Sequence, residues 1–173
     1  MPKEPLAVIV LAAGKGTRMN SAVPKVLHEI AGQPMVGHVL AAASRLEPES
    51  AIVVVGPDMD AVAKDVAPHP AIVQENQSGT GDAVKVGISA LSEMRDGTVL
   101  VLFGADPLIR TETLAEMVDV REAGAAVVVL GFRATNPQSI LYRVRVPVNW
   151  GPMPRRRAEH LPGAKRLNRS LPI

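Results

Sequence analysis

The first 132 residues alternate between short apolar runs and longer segments whose apolar residues recur at helical spacing. The short runs are rich in β-branched residues, which is typical of strands buried on both faces. They predict strands at Ala7–Leu11, Ile52–Val55, Ala71–Gln74, Val99–Phe103 and Ala126–Phe132. The longer segments predict helices at Met35–Leu46, Met59–Val66, Gly79–Leu91 and Thr111–Glu122. This alternation predicts an α/β fold, a mainly parallel twisted sheet with flanking helices, whose ligands bind at the carboxyl ends of the strands.

Composition excludes several classes of function. The 173 residues are 47% hydrophobic and 21% charged, which is enough apolar material for a packed core. The absence of cysteine excludes disulfides, thiolate metal sites and a cysteine nucleophile. With one Trp, one Tyr and two Phe, a platform for stacking nucleic-acid bases is not expected. The longest apolar run, Leu6–Ala13, is too short to span a membrane, so we expect no membrane partner and a cytoplasmic protein.

Charge divides the chain near residue 138. Residues 1–138 carry 11 basic and 16 acidic side chains, whereas residues 139–173 carry eight basic, one acidic and five prolines. We therefore predict a folded domain over 1–138, followed by a basic, Pro-rich tail over 139–173 that is disordered or weakly docked. A polybasic binding arm and a docked edge strand at Ile140–Val148 are the alternatives for the tail.

The loop after the first strand carries the strongest chemical motif. Leu11–Met19 has the sequence LAAGKGTRM, in which Gly14 and Gly16 allow close approach of an anion to backbone N–H groups. Lys15 and Arg18 add positive charge. An ordinary strand-to-helix turn would use the same glycines. The order of residues fits neither a P-loop nor a G-x-G-x-x-G dinucleotide fingerprint.

A second basic motif follows at Pro24-Lys25-Val26-Leu27-His28. Pro24 fixes its own φ, which stiffens the approach to Lys25 and holds that lysine as a point charge for phosphate. His28 is expected to act as a neutral hydrogen-bonding partner in preference to an acid or base.

Together the two motifs, L-A-A-G-x-G-T-R-M and P-K-V-L-H-x-I-A-G-x-P-M, resemble the N-terminal nucleotidyltransferase domain of bacterial bifunctional N-acetylglucosamine-1-phosphate uridyltransferases. The resemblance implies transfer of a uridylyl group from UTP to N-acetylglucosamine 1-phosphate, with pyrophosphate as the leaving group and Mg²⁺ as cofactor. By resemblance, Arg18 and Lys25 are the catalytic residues. The implied nucleotide-binding residues are Leu11, Ala12, Ala13, Gly14, Gly16, Thr17, Gln74, Gly79, Thr80 and Gly104.

Two further segments agree with this resemblance, with departures. The stretch from Gln74 to Gly81 resembles the family's uracil-binding Q-x4-G-T-G, although Asp82 stands where the family usually has His. The segment Gly104-Ala105-Asp106-Pro107 resembles the metal loop G-D-x-P, with the acid displaced by one residue. Asp106 is the predicted Mg²⁺ ligand, and its alternative role is that of a turn residue before proline.

The resemblance covers residues 5–136, and it implies that residues 1–138 form a partial nucleotidyltransferase, that is nucleotide-binding, domain. Nothing in residues 139–173 resembles the family's acceptor-binding segment, so we expect a fold that is incomplete at the C-terminus and a tail that is truncated or out of frame. The gene's nucleotide sequence tests that expectation. Two other functions stay open: a non-catalytic nucleotide-binding remnant, and a nucleotidyltransferase for another nucleotide or acceptor. Molybdenum-cofactor guanylyltransferases, for example, share the glycine loop.

Overall fold

The computed structural model describes residues 4–14, 16, 19–91, 93, 94 and 96–131. The described residues divide at position 118: those up to Val118 belong to a first compact unit, and those from Asp119 onward belong to a second unit. The strands are β1 (Leu6–Leu11), β2 (Glu29–Ile30), β3 (Gln33–Pro34), β4 (Ser50–Val55), β5 (Ala71–Val73) and β6 (Thr98–Phe103). The helices are α1 (Met35–Ser44), α2 (Asp60–Asp65), α3 (Thr80–Ala90) and α4 (Thr111–Glu122). The first four predicted strands and all four predicted helices are thereby confirmed.

The first unit is built on a four-stranded, wholly parallel sheet in the order β5-β4-β1-β6. Leu11 is in register with Val54 on one side and Phe103 on the other, so the strands end at one edge. From β1 the chain passes to β4 and β5 on one side and then returns to β6 on the other. In open α/β sheets, ligands bind where the strand order reverses in this way, which here is outside the carboxyl end of β1.

Alternate residues of β1 belong to two apolar layers, one on each face of the sheet. Val8 and Val10 are fully buried with apolar side chains of α1, α2 and α4. Ala7 and Ile9 are fully buried on the other face with Ala83 and Leu91 of the α3 region. Because both faces are covered, β1 is apolar at every position, which explains its uninterrupted hydrophobic sequence.

Helix α3 approaches β1 closely because Gly87 has no side chain. A Cβ at Gly87 would lie 2.7 Å from Cγ2 and 3.0 Å from Cδ1 of Ile9. Ile9 is completely buried and cannot turn away into solvent. The glycine therefore sets the distance between the helix and the central strand, and with it the position of the start of α3.

A short hairpin after the second basic motif was not predicted. A 3-10 helix at Lys25–Leu27 leads into β2, which pairs with β3 across a two-residue turn. Ala31 and Gly32 in that turn both have positive φ, 51° and 78°, which suits the twist of a tight hairpin. Each strand has only two residues, too few to show an alternating pattern.

The predicted strand at Ala126–Phe132 is wrong for the residues that the structure describes. Residues 126–131 have no regular structure, and Val127 and Val129 are 76% and 82% exposed. An apolar β-branched run becomes a strand only where a neighbouring strand supplies hydrogen bonds, and none does so within the described ranges. The predicted tail, including the strand at Ile140–Val148, lies outside the described residues. Among the helices that are described, none has the length and apolar character needed to cross a membrane.

Candidate nucleotide-binding site

The loop after β1 begins as a continuation of the sheet. The Ala12 amide donates to the Val54 carbonyl over 2.7 Å, and the Gly104 amide donates to the Leu11 carbonyl over 2.9 Å. A Cβ at Gly104 would stand 3.3 Å from that same Leu11 oxygen, so this glycine lets the loop after β6 lie directly beside β1. Leu11, Ala12 and Gly104 are therefore brought together at one edge of the sheet. Their predicted contacts with a nucleotide stay a prediction.

Lys25 packs against the glycine loop. Gly16 has a φ of +61°, and a Cβ at this position would be 2.6 Å from Cβ of Lys25. Val26 is buried in the core and the Leu27 amide donates to the Pro24 carbonyl over 2.9 Å, which fixes the short helix that carries the lysine. The two basic motifs of the sequence thus meet at Gly16, where the Lys25 side chain begins beside the loop.

The middle of the glycine loop presents its backbone to open space. Gly14 is exposed, and no atom lies within 4 Å of the place where its Cβ would be. A bare backbone facing outward is what close approach of a phosphate requires. Lys15, Thr17 and Arg18 lie outside the described residues, so their predicted roles are not tested.

Gln74 is brought together with Gly79 and the start of α3. Its side chain is only 3% exposed, and Nε2 donates to the Gly79 carbonyl over 3.1 Å and to Oδ2 of Asp82 over 2.7 Å. Gly79 has a φ of 108° and precedes Thr80, the first residue of α3, which is exposed. No side-chain cap closes this helix end, so Thr80 does not act as its side-chain cap.

The structure adds two residues that the sequence prediction missed. Nε2 of Gln77 donates to the Ala13 carbonyl over 3.2 Å and so links the loop after β5 to the loop after β1. A side chain at Gly56 would collide with Nε2 of Gln77, so this glycine leaves the space through which the link passes. Their partners are far away in the sequence. The only available signal was the position of Gln77 inside the Gln74–Gly81 motif.

Asp106 lies in a turn just beyond β6. The Asp106 amide donates to the Phe103 carbonyl over 3.1 Å, and the Asp106 carbonyl accepts from the Ile109 amide over 3.2 Å. The carboxylate is exposed and is hydrogen-bonded to none of the described residues. A single free carboxylate at this edge fits a hard divalent cation whose other ligands are phosphates and water. In the described part of the chain there is no cluster of three or more His, Cys, Asp or Glu residues.

His28 is half-buried and directly follows the 3-10 helix that carries Lys25. Its Nε2 is buried and forms no hydrogen bond with any described residue. The expected hydrogen-bonding role of this histidine is therefore not seen among the described residues. Its backbone carbonyl accepts from the Met35 amide over 3.0 Å, which ties the end of the hairpin to the start of α1.

The chain is similar in sequence to much longer proteins. It is 52% identical over 139 residues to the bifunctional protein GlmU of Paramagnetospirillum magneticum, covering 79% of this chain and 31% of that protein. It is 50% identical over 131 residues to the bifunctional protein GlmU of Streptomyces coelicolor, covering 73% of this chain and 27% of that one. The chain thus spans about 30% of the length of the curated relatives it matches. The predicted resemblance is confirmed.

Solved structures support the fold. Rv0371c from Mycobacterium tuberculosis matches with a TM-score of 0.58 and 23% identity, over 71% of this chain and 63% of that one. A synthetase of CMP:2-keto-3-deoxy-manno-octonic acid, complexed with CTP, matches with a TM-score of 0.55 and 20% identity, over 71% and 49% of the two chains. At these identities the comparison establishes the α/β architecture.

The family model for the MobA-like NTP transferase domain matches residues 8–171, which is nearly the whole chain. This match agrees with the parallel sheet, with the glycine loop after β1 and with the sequence relatives. The chain belongs to the family of MobA-like NTP transferase domains.

Proposed function

We propose that this chain is a nucleotidyltransferase of the sugar-1-phosphate type, which transfers a uridylyl group from UTP to N-acetylglucosamine 1-phosphate. An oxygen of the sugar phosphate forms a bond to the α-phosphorus of UTP. The bond from that phosphorus to the bridging oxygen breaks, and pyrophosphate leaves with the electron pair. No side-chain nucleophile is involved, so catalysis consists of positioning and charge neutralisation.

The observation that carries this proposal is the meeting of Gly16 and Lys25 at the carboxyl end of β1. A phosphate held by the bare loop backbone would have the lysine ammonium beside it. The link from Gln77 to the Ala13 carbonyl joins this phosphate side to the loop that carries Gln74. Triphosphate and base would thus occupy neighbouring loops of one edge, as the topology of the sheet favours.

The remaining predicted residues have roles in the same proposal. Arg18 would hold the leaving pyrophosphate and Lys25 the phosphates at the reacting centre. Gln74, Gly79 and Thr80 would contact the uracil. Thr17 would contact phosphate from the glycine loop. The roles of Arg18 and Thr17 rest on the motif resemblance alone, and those of the other residues rest also on the geometry of the described residues.

A divalent metal fits the proposal. Among the matching structures is one of Rv0371c in complex with manganese. In this chain Asp106 would hold Mg²⁺ through its exposed carboxylate, together with oxygens of the substrate phosphates. When bound, the ion neutralises charge that develops on the phosphates.

The experiment is a nucleotide panel followed by a turnover assay on the full chain. Among UTP, CTP, GTP and ATP, each with Mg²⁺, UTP is expected to raise the melting temperature most, because a ligand stabilises the state that binds it. In the turnover assay, we expect slow release of pyrophosphate that depends on the addition of N-acetylglucosamine 1-phosphate. Stronger stabilisation by another nucleotide would favour a transferase with a different substrate. UTP binding without acceptor-dependent release would favour a non-catalytic binding protein.

A further inference from the structure

The side chain of Asp82 is hydrogen-bonded to the side chain of Gln74. Its Oδ2 accepts a hydrogen bond from Nε2 of Gln74 over 2.7 Å and another from the Ser78 amide over 3.4 Å. Gln74 itself is almost completely buried. The carboxylate therefore holds a buried amide from the first turn of α3.

The two acceptors around Gln74 determine which way its amide faces. A backbone carbonyl oxygen and an ionised carboxylate can only accept, so the amide must turn its NH₂ group toward Gly79 and Asp82. Both N–H hydrogens of Nε2 are then used. The opposite orientation would place the amide oxygen against two other oxygens. The other polar atom of the amide, Oε1, receives no hydrogen bond from the described residues and is available to accept one from a ligand.

We propose that Asp82 is a positioning residue for nucleotide specificity, which holds Gln74 so that only its amide oxygen faces the base. The inference rests on the proposed function, because it takes the base to lie beside Gln74. An acceptor at this point selects a base with a ring N–H, such as uracil at position 3. Cytosine carries a bare ring nitrogen there, and that nitrogen would face Oε1 with no proton between them.

If Asp82 only stabilised the start of α3, its loss would have a different effect on nucleotide binding. The bond from the Ser78 amide resembles the reciprocal bond of a capping box, so loss of the carboxylate also weakens the start of α3. A loosened helix end would weaken every nucleotide alike. Without the carboxylate, only the Gly79 carbonyl still holds the amide of Gln74. The amide then turns over more readily and presents NH₂ in place of oxygen, which would weaken UTP and improve CTP. The ratio of the two affinities separates these roles.

The test measures the dissociation constants of UTP and CTP by calorimetry on the full chain, for the unchanged protein, Asp82→Ala and Asp60→Ala. Asp60 is the matched control, because it is an exposed acid in the first turn of α2. The preference for UTP over CTP is expected to fall about tenfold in Asp82→Ala, the scale of one hydrogen bond, and to stay unchanged in Asp60→Ala. If Asp82→Ala does not fold, Asp82→Leu takes its place, since its branched side chain resembles that of Asp in shape but accepts no hydrogen bond.

A folded variant that keeps the full preference for UTP would overturn the role of Asp82 and leave the proposed function intact. Equal weakening of UTP and CTP would overturn it as well. Failure of the unchanged chain to bind either nucleotide would overturn the proposed function and this inference together.

Discussion

At the scale of single residues, Gly16 is the point at which the two basic motifs meet. Its positive φ and its contact with Lys25 both exclude an ordinary side chain. Gly32, in the hairpin turn, also has a positive φ, but no atom lies within 4 Å of its Cβ position. A substitution at Gly32 therefore tests backbone strain alone, whereas a substitution at Gly16 tests backbone strain together with displacement of Lys25.

We expect Gly16→Ala to weaken UTP binding by about 1–2 kcal/mol, because the new methyl group pushes Lys25 away from the phosphates. Gly32→Ala should lower the free energy of unfolding by about 1 kcal/mol through strain alone and leave the affinity for UTP unchanged. Calorimetric titration with UTP and thermal unfolding of both variants check the pair. Equal affinities in the two variants would contradict the placement of Lys25 at the phosphates.

Asp106 stands one residue later than the acid of the G-D-x-P metal-loop motif, and this displacement gives a second prediction at the scale of residues. In the double variant Ala105→Asp, Asp106→Ala, the carboxylate directly follows Gly104, as in the motif that the loop resembles. We expect Mg²⁺ to increase the affinity for UTP more in this variant than in the unchanged chain, since the ligand then leaves the strand on the other side. UTP titrations with and without Mg²⁺ measure the difference. A smaller Mg²⁺ effect in the variant would show that Asp106 is already the better placed ligand.

Residues with local motifs were predictable from the sequence, and residues with distant partners were not. Gly14, Gly16 and Gln74 stand in short patterns whose chemistry is visible in the sequence. Gln77 contacts a carbonyl 64 positions away, which no local pattern reveals. Asp82 was visible only as a departure from the family, and its bond to Gln74 depends on how β5 leads into α3.

At the scale of elements, the packing of α3 on β1 depends on Gly87. Gly87→Ala should destabilise the protein by about 1–3 kcal/mol, because the methyl group would overlap the buried side chain of Ile9. Gly81→Ala in the same helix meets no atom within 4 Å and should stabilise the protein by up to about 1 kcal/mol through helix propensity. Denaturant unfolding of both variants measures the contrast. Stabilisation by Gly87→Ala would mean that the helix lies farther from the strand than described.

The elements also show where an apolar run in the sequence does not predict a strand correctly. Runs such as Ala7–Leu11 were predictable because both faces of the strand are buried and every position is apolar. The run at Ala126–Phe132 has the same composition, but its described residues have no neighbouring strand. The hairpin of β2 and β3 was missed because Ala31-Gly32 is not a strong turn sequence and its strands have two residues each.

At the scale of the whole molecule, the proposal gives the loops at the carboxyl end of the sheet the nucleotide side of the reaction. We expect residues 139–173 to supply no acceptor site, because their sequence lacks the acceptor-binding motif that the resemblance leads us to expect. Without acceptor positioning, a transferase loses effective molarity that can be worth about 7–11 kcal/mol. We therefore expect this 173-residue chain to release pyrophosphate at least about a thousandfold more slowly than the GlmU of Paramagnetospirillum magneticum in the same assay. Equal rates would show that residues 139–173 contribute an acceptor site.

The central claim is that UTP binds through the glycine loop at the carboxyl end of β1, and calorimetric titration of the full chain with UTP and Mg²⁺ tests it most directly. The account predicts binding of one UTP per chain, and a loss of about 1–3 kcal/mol in Arg18→Ala, the usual scale of a charge-assisted contact. Arg45→Ala, an exposed arginine after α1, is the control and should bind UTP like the unchanged chain. Absence of UTP binding, or equal affinity in Arg18→Ala and the unchanged chain, would contradict the account.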